Sequence, residues 1–163
     1  MDAPKPFQWI WKSCTPPKKK FFFWSLLQDR LHIRDLLTRK NFHIQSTSCV
    51  LCDDEPNEHL MPLFFSCDFS SNFWMNIGFQ WNTDYDLVDI LLDGRRHNNI
   101  MCYKECLIAG CWSLWKHMNG IIFDHKEKNM AFCISSFKEH FGMIIKKAKP
   151  SLKEGMQSWL DYV

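Results

Sequence analysis

Residues 100–118 read Ile100-Met101-Cys102-Tyr103-Lys104-Glu105-Cys106-Leu107-Ile108-Ala109-Gly110-Cys111-Trp112-Ser113-Leu114-Trp115-Lys116-His117-Met118, and their periodicity decides the fold. Ile100, Tyr103, Leu107, Cys111, Leu114 and Met118 recur at intervals of three and four, which puts them on one face of an amphipathic helix. Gly110 inside this run costs about 1 kcal/mol relative to alanine, so close helix packing is expected there. Cys102, Cys106 and Cys111 lie along the same stripe and read as small core residues.

The neighbouring segments extend the helical pattern. Downstream, Asp124 is expected to cap a helix through Ala131, Ile134, Phe137, Phe141, Ile144 and Ala148, ended by Pro150. Ser151-Leu152-Lys153-Glu154 has the form of a capping box for a short last helix ending near Trp159. Upstream, Thr83 reads as the cap of a helix over Asp84–Asp93, with Leu87, Ile90 and Leu91 inward and Gly94 as its stop. Asp68 reads as the N-cap of a helix through Phe69, Phe73 and Ile77. Pro16-Pro17 lead into a helix whose inward face is Phe21, Trp24, Leu27 and Leu31, and a shorter helix covers Ile33 to Arg39. Residues 41–67 lose all periodicity and read as an irregular loop that needs a staple. No convincing period-2 strand is present. The expectation is a mainly α fold: a small helical domain with one irregular loop over residues 1–82, and a C-terminal helical region over 83–163 packed on it as one compact unit.

Composition narrows the class. The 163 residues hold 14 Phe and 8 Trp against 3 Tyr, with a formal net charge of +2. No stretch approaches the roughly 18 apolar residues of a membrane span, and Met1–Pro6 lacks a secretory h-region. An intracellular protein of the cytoplasm or nucleus, neither secreted nor membrane-bound, is expected. Its eight cysteines are then reduced, so clustered ones are metal candidates before they are disulfide candidates. Charge is segregated: residues 1–40 sum to +6, residues 41–93 to −9 with no Lys or Arg, and residues 94–163 to +5. A phosphate backbone is repelled by the middle block and attracted by both ends.

The irregular loop carries the chemistry. Cys49-Val50-Leu51-Cys52 is a C-x2-C knuckle, followed by His59 and Cys67. Three thiolates and one imidazole complete a tetrahedral shell for one Zn²⁺, with Zn–S of about 2.3 Å and Zn–N of about 2.0–2.1 Å. Four protein ligands leave no position for a reactive water, so such a site is structural. The competing reading takes the cysteines as small buried apolar residues, with His59 and Cys67 incidental. Dinucleotide, P-loop, metalloprotease and serine-hydrolase motifs are all missing, and a non-enzyme is expected.

A family resemblance rests on several of these residues together. Trp11-Lys12-Ser13-Cys14-Thr15-Pro16-Pro17-Lys18, Lys20-Phe21-Phe22 and Trp24 come first, followed by Asp29-Arg30-Leu31 and Arg34-Asp35 with Leu37. Then come Cys49-Val50-Leu51-Cys52, Glu58-His59-Leu60, Phe64-Phe65-Ser66-Cys67 and Phe73-Trp74. This set resembles the reverse-transcriptase zinc-binding domain found downstream of the polymerase in plant LINE-type, non-LTR retrotransposons. Trp112-Ser113-Leu114-Trp115-Lys116-His117, with Asn119 and Ile122-Phe123, is similar to the tryptophan-rich helix that follows in those elements, and Lys149–Lys153 to their C-terminal region. The resemblance implies Cys49, Cys52, His59 and Cys67 as the zinc ligands, and contact with RNA or DNA. The polymerase and endonuclease parts of such an element are not in this chain, so a fragment, or a host gene made from retroelement sequence, is expected.

Two functions follow from this reading. One is a non-catalytic, retrotransposon-derived zinc-binding module that recognises another protein, as a regulator or as one part of a toxin–antidote pair; the excess of Phe, Trp and Met suits an interface. The alternative is a nucleic-acid-binding accessory domain. There Lys18, Lys19, Lys20, Arg34, Arg39 and Lys40 would supply phosphate contacts, and Trp9 and Trp11 would stack on unpaired bases.

Overall fold

The computed structural model describes residues 5–28, 62–85, 87–98 and 102–163. Lys5–Lys12 is a 3₁₀ helix, α1 spans Pro17–Leu27, and a single π-helical turn covers Pro62–Ser66. Then follow α2 (Asp68–Asn76), α3 (Leu87–His97), α4 (Tyr103–Phe123), α5 (Met130–Lys147) and α6 (Pro150–Tyr162). Among the described residues there is no strand, so the mainly helical class holds.

The organising element is α4. Fourteen of its 21 residues are buried, so it is covered on nearly all sides, as a central helix must be. Of the predicted stripe, Tyr103, Leu107, Cys111, Leu114 and Met118 are all in the core, as their spacing requires, and Ile100 lies outside the described residues. On one side α4 packs on α5, which packs in turn on α6; on another it meets α1. Cys102, Cys106 and Cys111 are buried free thiols, and burial raises the Cys106 and Cys111 pKa values well above the ordinary range.

Aromatic rings fill the space between α2 and its neighbours. Trp74 is fully buried, stacked on Phe65 at 5.8 Å and edge-on to Phe73, Phe79 and Trp81 at 5.3, 5.5 and 5.2 Å. Its indole N–H donates to the Phe64 carbonyl at 2.7 Å, so the one polar atom of the ring is satisfied. Gly110 of α4 faces this ring, and a Cβ at that position would overlap its six-membered part. The chain of rings runs on through Phe137, Phe141 and Trp159, which tie α5 to α6.

Helix ends are where the expectations needed correction. The N-cap of α2 is Cys67, not Asp68: its sulfur accepts from the Ser70 N–H at 3.4 Å. The α2 helix closes at Gly78, whose φ of +86° lets Gly78 N–H reach Met75 O and Phe79 N–H reach Trp74 O. The α3 helix begins at Leu87 and not Asp84, and Gly94 lies inside it because the Trp81 ring and the Tyr103 hydroxyl fill the space a Cβ would need. The α5 cap is Asn129, which accepts from Phe132 N–H at 2.9 Å, whereas Asp124 ends α4. Pro150 starts α6 instead of merely ending α5, so Ser151 lies inside the first turn and no capping box forms.

The inward face of α1 also differs. Lys19, Phe22, Phe23 and Leu26 are buried, while Phe21 is 60% exposed. Apolar residues at 21–24, 26 and 27 surround the helix, so spacing alone does not orient it. Docking on α4 does, with Phe22 edge-on to Trp112 at 5.2 Å. Leu31 and the helix expected over Ile33–Arg39 lie outside the described residues, as does most of the 41–67 loop. The part in view, Pro62–Ser66, is a helical turn and not irregular.

Asn98, just past α3, holds this corner together. Its amide donates to Gln80 O and Gly94 O, both at 2.9 Å, and its Oδ1 accepts from Gln80 N–H at 3.1 Å. Asn98→Ala removes the side-chain partners of the Gln80 N–H and carbonyl in a part-buried setting, while Gly94 O keeps the Asn98 N–H, and is expected to destabilise the protein by about 1 kcal/mol. Urea denaturation followed by circular dichroism measures this, and an unchanged midpoint would show that water replaces the amide.

Candidate functional site

The two sets of candidate residues occupy different places. Of the zinc set, Cys67 lies within the described residues; Cys49, Cys52 and His59 lie outside them. Accordingly, no group of three His, Cys, Asp or Glu side chains that could hold a metal occurs among the described residues. The Cys67 environment fits a metal thiolate. Its sulfur is buried at the N-terminus of α2, 3.4 Å from the Ser70 backbone N and 3.3 Å from Ser70 Oγ. The Ser70 N–H at the helix N-terminus donates to the sulfur, the kind of backbone contact that supports a metal-bound thiolate, while the thiol itself donates to Ser70 Oγ. The turn before it is anchored by buried Phe64 and Phe65, which fixes where Cys67 points.

Of the basic and aromatic set, Arg34, Arg39 and Lys40 lie outside the described residues, and the others are on α1 and the 3₁₀ helix. Trp9 is half-buried, 6.4 Å from the Phe23 ring. Trp11 is 39% exposed and meets the exposed Phe21 edge-on at 5.3 Å. Lys20 Nζ donates to the Trp11 carbonyl at 3.1 Å, clamping the 3₁₀ helix to α1 and holding the two rings together. Lys12 and Lys18 are exposed on either side.

Lys18 leads from this aromatic pair to a second cluster. Its ammonium sits 5.8 Å from the centroid of the Trp112 ring, and Trp112 is 6.4 Å from the His140 ring. Lys19 is buried at 7% exposure, with Nζ 3.1 Å from His140 Nδ1. An ammonium has no lone pair, so His140 Nδ1 accepts and the ring is neutral with its proton on Nε2. Desolvation, then Lys19 and Lys116, push the His140 pKa down to about 4, against a smaller opposing pull from Glu139. Desolvation, then Lys116 and Lys147, lower the Lys19 pKa, again with Glu139 opposing. The fold therefore brings lysines of the first and last basic blocks together, skipping the acidic block between them. Residue-level sequence reasoning missed Phe21, Lys116, His140 and Lys147. The charge segregation was the one signal that pointed to them.

His117, the one buried histidine among the described residues, has a structural task. Its ring stacks on Phe69 at 5.4 Å and its Nε2 accepts from Asn129 N–H at 3.1 Å, holding the turn between α4 and α5. Burial, then Lys126, lower its pKa.

Comparison with known proteins adds a family for the first part of the chain. Residues 2–74 match the family model described as zinc-binding in reverse transcriptase. This stretch, which is under half of the chain and ends at Trp74 in α2, is thus similar to that family. No curated protein and no solved structure matches it. Among the described residues, no helix is long and apolar enough to cross a membrane.

Proposed function

We propose that this protein is a non-catalytic zinc-binding module that contacts single-stranded RNA or DNA. The observation that carries this reading is the exposed Trp11–Phe21 pair, flanked by Lys12, Lys18 and Lys20. Solvent-facing rings offer bases a stacking surface, and neighbouring ammonium groups hold the phosphates that run beside those bases. One Zn²⁺ bound by Cys49, Cys52, His59 and Cys67 would staple the preceding loop to the N-terminus of α2. It would serve structure and not chemistry, since all four positions are taken by protein. The plant LINE origin suggested by the motifs fits a module that once worked beside a polymerase.

The test is fluorescence anisotropy of a labelled single-stranded oligonucleotide. Trp11→Ala is expected to weaken binding about 5- to 100-fold, the loss of one base from a stack. Lys18→Gln is expected to reduce the salt dependence by roughly one phosphate contact. Oligonucleotide binding that ignores Trp11→Ala would overturn the reading. The same aromatic pair also supports the second reading, a protein-interaction module with a regulatory or toxin–antidote role, because exposed Trp and Phe anchor interfaces. Salt-insensitive binding to a protein, abolished by Trp11→Ala, would favour that one.

A further inference from the structure

We infer that Lys19, Lys116, His140 and Lys147 form a recess for one phosphate group, a phosphodiester of the bound nucleic acid. This rests on the nucleic-acid reading above and names the place where the strand is gripped. Lys19 is the one buried lysine among the described residues. A buried ammonium ordinarily sits beside a carboxylate. Here its hydrogen-bond partner is a neutral imidazole at 3.1 Å. Among the described residues, none of these four groups makes an ion pair, while Lys116 and Lys147 repel Lys19 from α4 and α5.

Lys19 of α1 thus touches His140 of α5 and is repelled by Lys116 of α4 and Lys147 of α5. The groups facing His140 are Lys19 from α1, Lys116 from α4 and its own neighbour Glu139, whose opposing effect is the smallest. Such a cluster destabilises the free protein and is relieved by a tetrahedral oxyanion, which accepts from the ammonium groups. With the anion present, the imidazole can also take a proton and become a donor. Lys18, next to Lys19 in sequence, sits over the Trp112 ring, which meets His140 edge-on, and the Trp11–Phe21 pair lies on the same helix α1 and the 3₁₀ helix clamped to it.

The experiment is an NMR titration of the His140 ring in the full chain, performed alone, with inorganic phosphate, and with a short single-stranded oligonucleotide. The His140 pKa, about 4 in the free protein, is expected to rise by about 1 unit or more with either ligand, because added negative charge favours the imidazolium. Lys19→Met is expected to abolish the response. Since that residue is buried, the exposed Lys147→Gln serves as the second variant, with oligonucleotide affinity reduced about threefold to tenfold. Oligonucleotide binding with an unmoved His140 pKa overturns the recess and leaves the nucleic-acid reading standing. A response to phosphate with no oligonucleotide binding keeps the recess and overturns that reading. An unmoved His140 pKa together with no oligonucleotide binding overturns both.

Discussion

Trp74→Ala is expected to destabilise the protein by about 3–5 kcal/mol, a large part of the roughly 5–15 kcal/mol that holds a domain of this size. Trp74 is fully buried, touches four other aromatic rings and satisfies the Phe64 carbonyl, so truncation leaves both a cavity and an unpaired acceptor. The complementary change is Gly110→Ala. Alanine favours a helix by about 1 kcal/mol over glycine, but the new Cβ would meet the outer atoms of the Trp74 six-membered ring. Overpacking of that kind costs about 1–3 kcal/mol, so a net loss is expected. The atoms it meets are ones that phenylalanine lacks. In a Trp74→Phe background, Gly110→Ala should therefore cost less than in the wild type, and urea denaturation of the four proteins measures that coupling. Strict additivity would mean that Gly110 and Trp74 do not share this contact.

Removing the proposed zinc is expected to be the second large effect. Structural zinc contributes apparent binding energies of about 10–16 kcal/mol, more than any single core substitution. Chelation or Cys52→Ser is expected to loosen residues 41–81 while α4, α5 and α6 hold together through their own packing. Cys67→Ser separates the two tasks assigned to that sulfur. Serine is a good N-cap, so the bond from the Ser70 N–H survives while the metal ligand is lost. One zinc per chain in the wild type, absent from Cys67→Ser, with a lower melting temperature, is the expected result of elemental analysis and thermal denaturation. An unchanged melting temperature with no metal in either protein would reduce Cys67 to a helix cap.

These sites differ in how far they could be read ahead. The C-x2-C knuckle with His59 and Cys67 is local in sequence, and it lies within the stretch, residues 2–74, that is similar to the zinc-binding family model. The basic cluster was legible only as block charges. Lys19 and His140 are 121 residues apart, and nothing in either neighbourhood marks the other. Phe21 was misread as inward because its helix is apolar on every side. It is the packing of Phe22 on Trp112 that turns Phe21 to solvent.

What the sequence by itself determined is the helical class and the inward stripe of α4; that α4 is covered on nearly all sides came from the packing. A period of three and four over nineteen residues has one geometric reading, and burial of Tyr103, Leu107, Cys111, Leu114 and Met118 follows from it. What only the tertiary structure decided are the helix ends, the orientation of α1 and the meeting of the two basic blocks. A cap depends on a few tenths of an ångström, and several Ser, Asp, Asn and Cys residues compete for each end, as Cys67 and Asn129 show. A helix with two apolar faces is oriented by its partner, and charges distant in the chain become neighbours only when α1, α4 and α5 pack. Those are long-range energies, and local spacing carries no record of them.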